Sequence, residues 1–245
     1  MRNNEADILA ILYRHHAQWL KRENFYCHQG CAACCTANVM VTECEAEGIL
    51  KHVRSTGKID WFADMLDRAP VTATPSMTTN AAARICLQRL DNETNEKTDP
   101  TTLPCPLLEG NNCAVYPVRP FSCRSFFSHS NCASRGEATL PTRIVTINTV
   151  MLQLIEHIGQ GRIWGNLIEV LRVLCCRPEQ ADILKRMKKK ERIRTAHEKV
   201  LYAERIPGFL LLPEEEREIS DLLAVIAREK IGNEMVGDII NRLGR

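Results

Sequence analysis

Apolar residues recur at helical spacing through most of the chain, which predicts a mainly α-helical protein. In residues 5–23 they fall at every third or fourth position, as they do on the buried face of an amphipathic helix. Similar patterns predict helices over 42–56, with capping-box spacing at its start, over 60–69 and over 77–90. We therefore expect four helices in the first part of the chain.

The pattern changes after these helices. Residues 91–104 are polar and rich in turn-forming residues, which is typical of an exposed connection. Short apolar runs on both sides of 109–112 predict a small hairpin or two extended segments. Helical periodicity returns from about residue 142, including a helix expected over 161–175. We expect a cysteine-rich region over 1–141 and a helical region over 142–245 that packs on it.

Composition and charge exclude several classes of protein. The 245 residues are 44% hydrophobic and 25% charged, which is ordinary for a chain that buries a core. A net charge of +2 provides no overall field to attract DNA or a membrane. No apolar stretch reaches the roughly 18 residues that a membrane span needs, and the N-terminus lacks a secretory pattern. We expect a cytoplasmic protein without a membrane or nucleic-acid partner.

Twelve cysteines are the strongest chemical signal in the sequence. In a reducing compartment they indicate metal ligation and not a disulfide framework. Thiolate is a soft ligand that suits zinc and iron–sulfur clusters, and the proline after Cys105 is typical of iron–sulfur ligand loops. We predict an iron–sulfur cluster, of the 4Fe–4S type, or zinc, bound by the cysteines of two sequence clusters. These are Cys27, Cys31, Cys34, Cys35, Cys105, Cys113 and Cys123.

The adjacent pair Cys34 and Cys35 complicates a single metal site. Neighbouring side chains diverge, so chelation of one tetrahedral ion by both would require a strained ring. Seven or eight thiols also exceed the four of an all-cysteine zinc site. The alternatives are one four-cysteine site with spare thiols, or two neighbouring metals.

The remaining five cysteines carry a weaker signal. Packing is the preferred interpretation for Cys44, Cys86 and the pair Cys175 and Cys176, because buried free cysteine is a common small core residue. For Cys132 packing and ligation stay open.

The residues around both clusters resemble a known family. The order is Cys27-x3-Cys31-x2-Cys34-Cys35, Cys105-Pro106-Leu107-Leu108, Cys113-Ala114-Val115-Tyr116 and Arg119-Pro120-x2-Cys123-Arg124-x-Phe126. It is similar to the CxxCxxCC family, described as a zinc- or iron-chelating domain, over residues 24–130. The first interval here is three residues where the family name has two. The resemblance implies a cysteine-bound metal centre without implying one reaction, although flagellin lysine N-methylases are similar in carrying this motif.

Four residues beside the second cluster are assigned supporting roles. Arg119 and Arg124 would offset the negative charge of a thiolate-bound metal. Tyr116 and Phe126 would shield the site from water.

The histidines and one charge run receive less specific interpretations. His28 and His129 are expected to face solvent and not to ligate, and His15 and His16 are expected at the surface of the first helix. The basic run 185–194 is interpreted as a solvated helix face and not as a contact for nucleic-acid phosphates.

Three functions are compatible with these features. The first is a cytosolic metal-binding protein. The second is a metal- or thiol-dependent enzyme for redox or group transfer, for example methyl transfer, although no Gly-rich dinucleotide or S-adenosylmethionine fingerprint is evident. The third is a redox- or metal-sensing adaptor that binds a protein partner through its C-terminal helices. A concave pocket that reaches the metal would favour the enzyme.

Overall fold

Helices dominate the computed structural model, which describes residues 4–90 and 103–243. Twelve α-helices lie within those residues, together with three short 3-10 turns at Leu20–Arg22, Tyr116–Val118 and Pro178–Gln180. The prediction of a mainly α fold is confirmed. The helices are α1 (Glu5–Trp19), α2 (Glu43–Ser55), α3 (Ile59–Arg68), α4 (Thr79–Gln88), α5 (Phe121–Arg124), α6 (Cys132–Arg135), α7 (Thr142–Ile158), α8 (Leu167–Leu174), α9 (Ala181–Arg186), α10 (Glu191–His197), α11 (Glu216–Arg228) and α12 (Val236–Leu243).

Short antiparallel strands link distant parts of the chain. The strands are β1 (Met40–Thr42), β2 (Leu108–Glu109), β3 (Asn112–Cys113), β4 (Ile163–Asn166), β5 (Leu201–Tyr202), β6 (Lys230–Ile231) and β7 (Glu234–Met235). A three-stranded sheet has the order β1-β4-β5, and Val41 of β1 pairs with Gly165 of β4. Two hairpins, β2-β3 and β6-β7, complete the described strands. The central sheet therefore joins residues from both sides of position 141.

The four predicted N-terminal helices and the hairpin are confirmed. Thr42 and Glu45 form the expected capping box at the start of α2, and α3 ends just before Pro70. The connection predicted over 91–104 lies outside the described residues except for its last two.

The helix predicted over 161–175 is wrong in its first part. Ile163–Asn166 form strand β4, which pairs with β1 on one side and β5 on the other, and α8 begins only at Leu167. Asn166 ends the strand and caps α8, since its side chain accepts a hydrogen bond from the Ile168 backbone N–H at 3.0 Å. Pairing with two neighbouring strands thus outweighs the local helical periodicity.

Two hydrophobic cores hold the helices together. One lies between α2, α3 and α8, with Phe62 and Leu171 fully buried. The other lies between α1, α7, α11 and α12, with Ile8 and Ile147 fully buried. Burial of each such side chain contributes about 1.5–3 kcal/mol. No helix among the residues described has the length and apolar character that a bilayer crossing requires.

The expected surface position of two α1 histidines is wrong. His15 and His16 are 9% and 3% exposed, because α1 packs against both α7 and α11. Their imidazoles find polar partners in those neighbours. His16 Nε2 lies 2.8 Å from Asn148 Oδ1, and His15 Nε2 lies 2.8 Å from Glu229 Oε1.

The basic run 185–194 is not one helix face, because it covers the end of α9, a turn and the start of α10. Its residues meet acidic side chains of α3. The Asp67 carboxylate accepts the backbone N–H groups of Lys188 and Lys189 at 2.7 and 3.0 Å, and Arg186 pairs with Asp60. Part of the basic charge is therefore used within the fold.

Candidate metal centre

The seven predicted ligand cysteines line a single cavity of about 1020 Å³, here called the cysteine cavity. The structure therefore brings together two sequence clusters that residues 36–104 separate in the chain. All seven thiols are half-buried, which distinguishes them from core cysteines.

Backbone pairing joins the two clusters directly. The Cys105 N–H donates to the Cys35 carbonyl at 2.9 Å, and the Ala37 N–H donates to the Leu103 carbonyl at 2.9 Å. An isolated antiparallel bridge between Thr36 and Pro104 lies between these bonds. Cys35 and Cys105 are thus held on neighbouring extended segments.

The β2-β3 hairpin positions Cys113. Leu108 pairs with Cys113, and Gly110 provides the left-handed backbone of the turn with φ at +62°. Leu107 and Val115, on either side of the hairpin, are each 1% exposed and anchor it in the first core. The hairpin therefore presents Cys113 to the cavity from a fixed base.

Glu45 positions the segment that carries Cys123. Its carboxylate accepts the Phe121 backbone N–H at 2.7 Å, the Tyr13 hydroxyl at 2.7 Å and the Thr42 backbone N–H at 2.9 Å. The buried Glu45 carboxylate thus connects α1, α2 and α5. Its partner in α5, Phe121, lies two residues before Cys123.

Burial keeps most of the cavity thiols protonated near neutral pH. It raises the pKa values of Cys27, Cys105 and Cys113, and it raises the pKa of Cys123 to about 12. A metal that binds these thiols must displace their protons, so metal uptake releases protons.

The adjacent cysteines differ from each other. The two side chains do not diverge as expected, because a hydrogen bond between their thiols raises the pKa of Cys34 and lowers the pKa of Cys35. Cys35 is therefore the thiol of this pair that becomes a thiolate more readily, which is the form that binds metals.

Of the four predicted supporting residues, Arg119 best matches its expected role, which is to offset negative charge on the thiols. Burial raises the pKa values of Cys113 and Cys123, and the positive charge of Arg119 partly offsets that rise. The Arg119 guanidinium also stacks 4.1 Å from the centre of the Tyr116 ring. Both residues line the cavity.

Arg124 and Phe126 have other surroundings. Arg124 donates to the carbonyls of Arg119 and Pro117 at 2.7 and 2.8 Å, and it lies 4.6 Å from the Tyr13 ring centre. Its hydrogen bonds therefore connect the 3-10 turn at Tyr116–Val118 to helix α5. Phe126 lines the cavity, yet it is 59% exposed.

The histidines near the cysteines are exposed, as predicted. His28 Nδ1 lies 3.1 Å from the Tyr26 carbonyl oxygen, and His129 Nε2 lies 3.2 Å from a Glu23 carboxylate oxygen. Both imidazoles already have partners within the protein.

The remaining cysteines fall into three groups. Cys44 and Cys175 are 7% and 0% exposed and pack in the cores, as predicted. Cys86 and Cys176 are exposed, so the packing interpretation is wrong for them. Cys176 directly follows buried Cys175, and adjacent side chains diverge. Cys132 is half-buried.

The thiols surround the cavity without converging on one point. Among residues 4–90 and 103–243, no group of three or more Cys, His, Asp and Glu side chains stands ready to hold a metal ion. All twelve cysteines are free thiols. The donor chemistry nevertheless fits zinc or an iron–sulfur cluster, because both take thiolate ligands. Rotation about χ1 moves a cysteine sulfur among three staggered positions without moving the backbone.

The cavity extends beyond the thiols to residues that the sequence did not single out. Tyr13, His16 and Lys21 line it from the α1 side, and Phe25 and Trp164 add apolar surface. The spacing of Tyr13 and His16 puts them on one helix face, which is the only sequence signal for this wall. Burial lowers the pKa of His16 to about 4, so its imidazole is neutral.

Comparison of the chain with protein-family models, curated proteins and solved structures finds no match. The case for a metal centre therefore depends on the motifs and on the geometry of the cysteine cavity.

Proposed function

We propose that this protein binds a metal centre, either zinc or an iron–sulfur cluster, through the thiols of the cysteine cavity. The observation that carries the proposal is the convergence of two sequence clusters on one cavity. Seven of twelve cysteines line it. A metal would bridge the segments around Cys35 and Cys105, so it would also stabilise the N-terminal half of the fold.

The surroundings of the thiols favour ligation over packing. A packed cysteine is enclosed by apolar side chains, as Cys175 is at 0% exposure. The cavity cysteines are half-buried, lie mainly in loops and carry a nearby arginine charge. Free thiols in this number suit a reducing compartment, and a cytosolic location is part of the proposal.

A metal-dependent enzyme is the second candidate, and the size of the cavity favours it. A volume of about 1020 Å³ is at the upper limit of the usual range for small-molecule sites. Its lining combines the cysteines with Tyr13, His16 and Lys21. Such a cavity would admit a small substrate beside the metal for redox or group-transfer chemistry.

The adaptor hypothesis receives less support. It relied on the C-terminal helices and the basic run, and part of that run is paired with α3 through Asp60 and Asp67.

Metal analysis of anaerobically purified full-length protein tests the proposal. We expect stoichiometric zinc, or iron with acid-labile sulfide and a brown colour. Substitution Cys35→Ala should reduce the bound metal at least severalfold, while Cys176→Ala, at an exposed cysteine outside the cavity, should leave it unchanged. Protein that contains no metal and has paired cysteines would overturn the proposal.

Access for a small molecule separates the enzyme from a purely structural site. Protein reconstituted with Co²⁺ reports its ligands through its visible absorption. A spectral change on addition of imidazole would show an open coordination position, as catalytic sites have. An unchanged spectrum would favour a closed structural site.

A further inference from the structure

We infer that the cysteine cavity is a binding site for a small organic carboxylate, and that Arg119 holds the carboxylate group. The inference rests on the proposed function for any reaction that follows binding, and it names the ligand class that the enzyme candidate leaves open. Binding itself requires the cavity and the arginine, and it requires no metal.

The charged residues in the lining of the cavity have one sign. Lys21, Arg119 and Arg124 belong to the lining, and none of the lining residues within the described ranges 4–90 and 103–243 is an aspartate or a glutamate. A concave surface whose charges share one sign attracts small ions of the opposite sign. The cavity therefore favours an anion over a neutral molecule of the same shape.

Arg124 is already engaged with the protein. It donates to the carbonyls of Arg119 and Pro117 at 2.7 and 2.8 Å, and its guanidinium lies 4.6 Å from the centre of the Tyr13 ring. The first of these hydrogen bonds holds the backbone of Arg119. Arg124 therefore supports the arginine that would meet the ligand.

The guanidinium of Arg119 is held in place but not saturated. It stacks 4.1 Å from the centre of the Tyr116 ring, and stacking leaves the N–H donors in the guanidinium plane free for other partners. Within residues 4–90 and 103–243 the side chain donates no hydrogen bond and forms no ion pair, and its Nε is buried without a partner. The fold thus positions this arginine without supplying its acceptor.

The number of free donors points to a carboxylate. An arginine fork donates two parallel hydrogen bonds to the two oxygens of a carboxylate, which is a planar match. A phosphate group has three strong acceptor oxygens to satisfy, and the fork of Arg124 is occupied by backbone carbonyls. One free fork is therefore suited to a single carboxylate.

Apolar side chains in the lining indicate that the anion has an organic body. Phe25, Phe127 and Trp164 line the cavity, and the Phe25 and Phe127 rings pack with centres 4.1 Å apart. An inorganic anion would leave this apolar surface in contact with water, whereas an aliphatic or aromatic group would cover it. The expected ligand is a carboxylate with an apolar body.

Calorimetric titration of full-length protein with matched probes tests the inference. The probes are phenylacetate and hexanoate, each compared with its amide, which has nearly the same shape and no charge. We expect the carboxylates to bind at least tenfold more tightly than their amides, in metal-loaded protein and in protein treated with chelator. Phenyl phosphate should bind no more tightly than phenylacetate.

Substitution of Arg119 identifies the group that reads the charge. Arg119→Met should weaken the binding of phenylacetate about tenfold to a hundredfold, since hydrogen bonds to charged groups are strong, and leave the binding of phenylacetamide unchanged. Arg119→Lys keeps the charge but not the fork and should recover only part of the affinity. Arg217→Met, at an exposed arginine of α11 outside the lining, is the matched control. Circular dichroism checks that each variant folds, and the wild-type comparison of acid with amide needs no variant.

The outcomes separate this inference from the proposed function, because metal content is measured in the same samples. Metal-loaded protein that binds neither carboxylate, or that binds acid and amide equally, overturns the inference and leaves the proposed function standing. Equal affinities of Arg119→Met and Arg217→Met for phenylacetate, or tighter binding of phenyl phosphate, also overturn it. Protein without metal that still binds phenylacetate through Arg119 supports the inference while the proposed function fails.

Discussion

Two polar clusters of this molecule differ in how far the protein itself supplies partners for their buried groups. In the first core, Arg172 is fully buried and pairs with Glu169 at 3.1 Å. Its terminal nitrogens also donate to the carbonyls of Leu66 and Ala69 at 2.8 Å and of Pro70 at 3.3 Å. In the cysteine cavity, by contrast, seven thiols surround a space of about 1020 Å³.

The two clusters differ in whether acceptors from the same chain surround the polar groups. The protein itself provides the acceptors for both terminal nitrogens of Arg172, at the C-terminal end of α3, so the cluster around Arg172 and Glu169 is structural. Of the three nitrogens of this guanidinium, only Nε is left without a hydrogen-bond partner among the described residues. Within residues 4–90 and 103–243 the cavity thiols form no group that is ready to hold a metal ion, so their arrangement is not completed by the fold. A polar cluster that its own fold does not complete is a candidate for binding.

The largest loss of stability is expected from a substitution in the cluster around Arg172 and Glu169. Arg172→Met should destabilise the protein by about 3–5 kcal/mol, because Glu169 is left buried without its charge partner. Urea denaturation measures the loss, and metal per folded chain should not change.

Arg14→Met is the matched control for that variant. Arg14 is 57% exposed in its pair with Glu229, and surface pairs contribute roughly 0–1 kcal/mol. Equal losses of stability in Arg172→Met and Arg14→Met would show that the burial of Arg172 does not increase its contribution to stability.

Metal removal should destabilise only the segments around the cysteine cavity. A ligand present at about 100 times its Kd stabilises the form that binds it by about 2.7 kcal/mol. Chelation should therefore speed amide exchange about a hundredfold in residues 26–36 and 103–113, where a bound metal would tie the segments together, and leave α8 unchanged. Hydrogen exchange with and without chelator measures this, and equal acceleration in α8 would contradict separate stability of the two regions.

Glu45 connects the cavity to the helices, and its removal should have an intermediate effect. Glu45→Ala leaves the Phe121 N–H and the Tyr13 hydroxyl without their acceptor and should cost about 2 kcal/mol. It should also weaken metal binding, since Cys123 follows Phe121 by two residues. Tyr13→Phe removes one of these bonds and should cost about 1 kcal/mol. Denaturation and metal titration of both variants check the order.

The last prediction concerns pH, where the expected change is roughly 1 kcal/mol for each pH unit. Burial lowers the pKa of His16 from 6.5 to about 4. Between these values the unfolded chain binds a proton that the folded chain does not. The stability is therefore complete above about pH 6.5 and falls with pH at roughly 1 kcal/mol per unit down to about pH 4.

His16→Gln should reduce that slope in urea denaturation between pH 7 and pH 5. His157, whose pKa burial also lowers, remains in the variant, so part of the slope persists. His197→Gln, at an exposed position, should keep the wild-type slope. An unchanged slope in His16→Gln would show that His16 is not the titrating group.

Local patterns predicted most of the helices, because capping, apolar period and proline act over a few residues. The α2 capping box and the end of α3 before Pro70 are of this kind. Local patterns gave wrong predictions where contacts with distant segments determine the structure. Strand β4 needs β1 and β5 beside it, and the burial of His15 and His16 needs α7 and α11 against α1.

Residue types and their spacing predict a mainly helical chain and identify the cysteines that line the cavity, because thiol chemistry and helical period are local properties. Which thiols become neighbours depends on the folded chain. The pairing of Cys105 with Cys35, and of Tyr26 with Ser128, connects segments far apart in the chain. Such contacts depend on chain topology and backbone hydrogen bonding, and no local spacing encodes them.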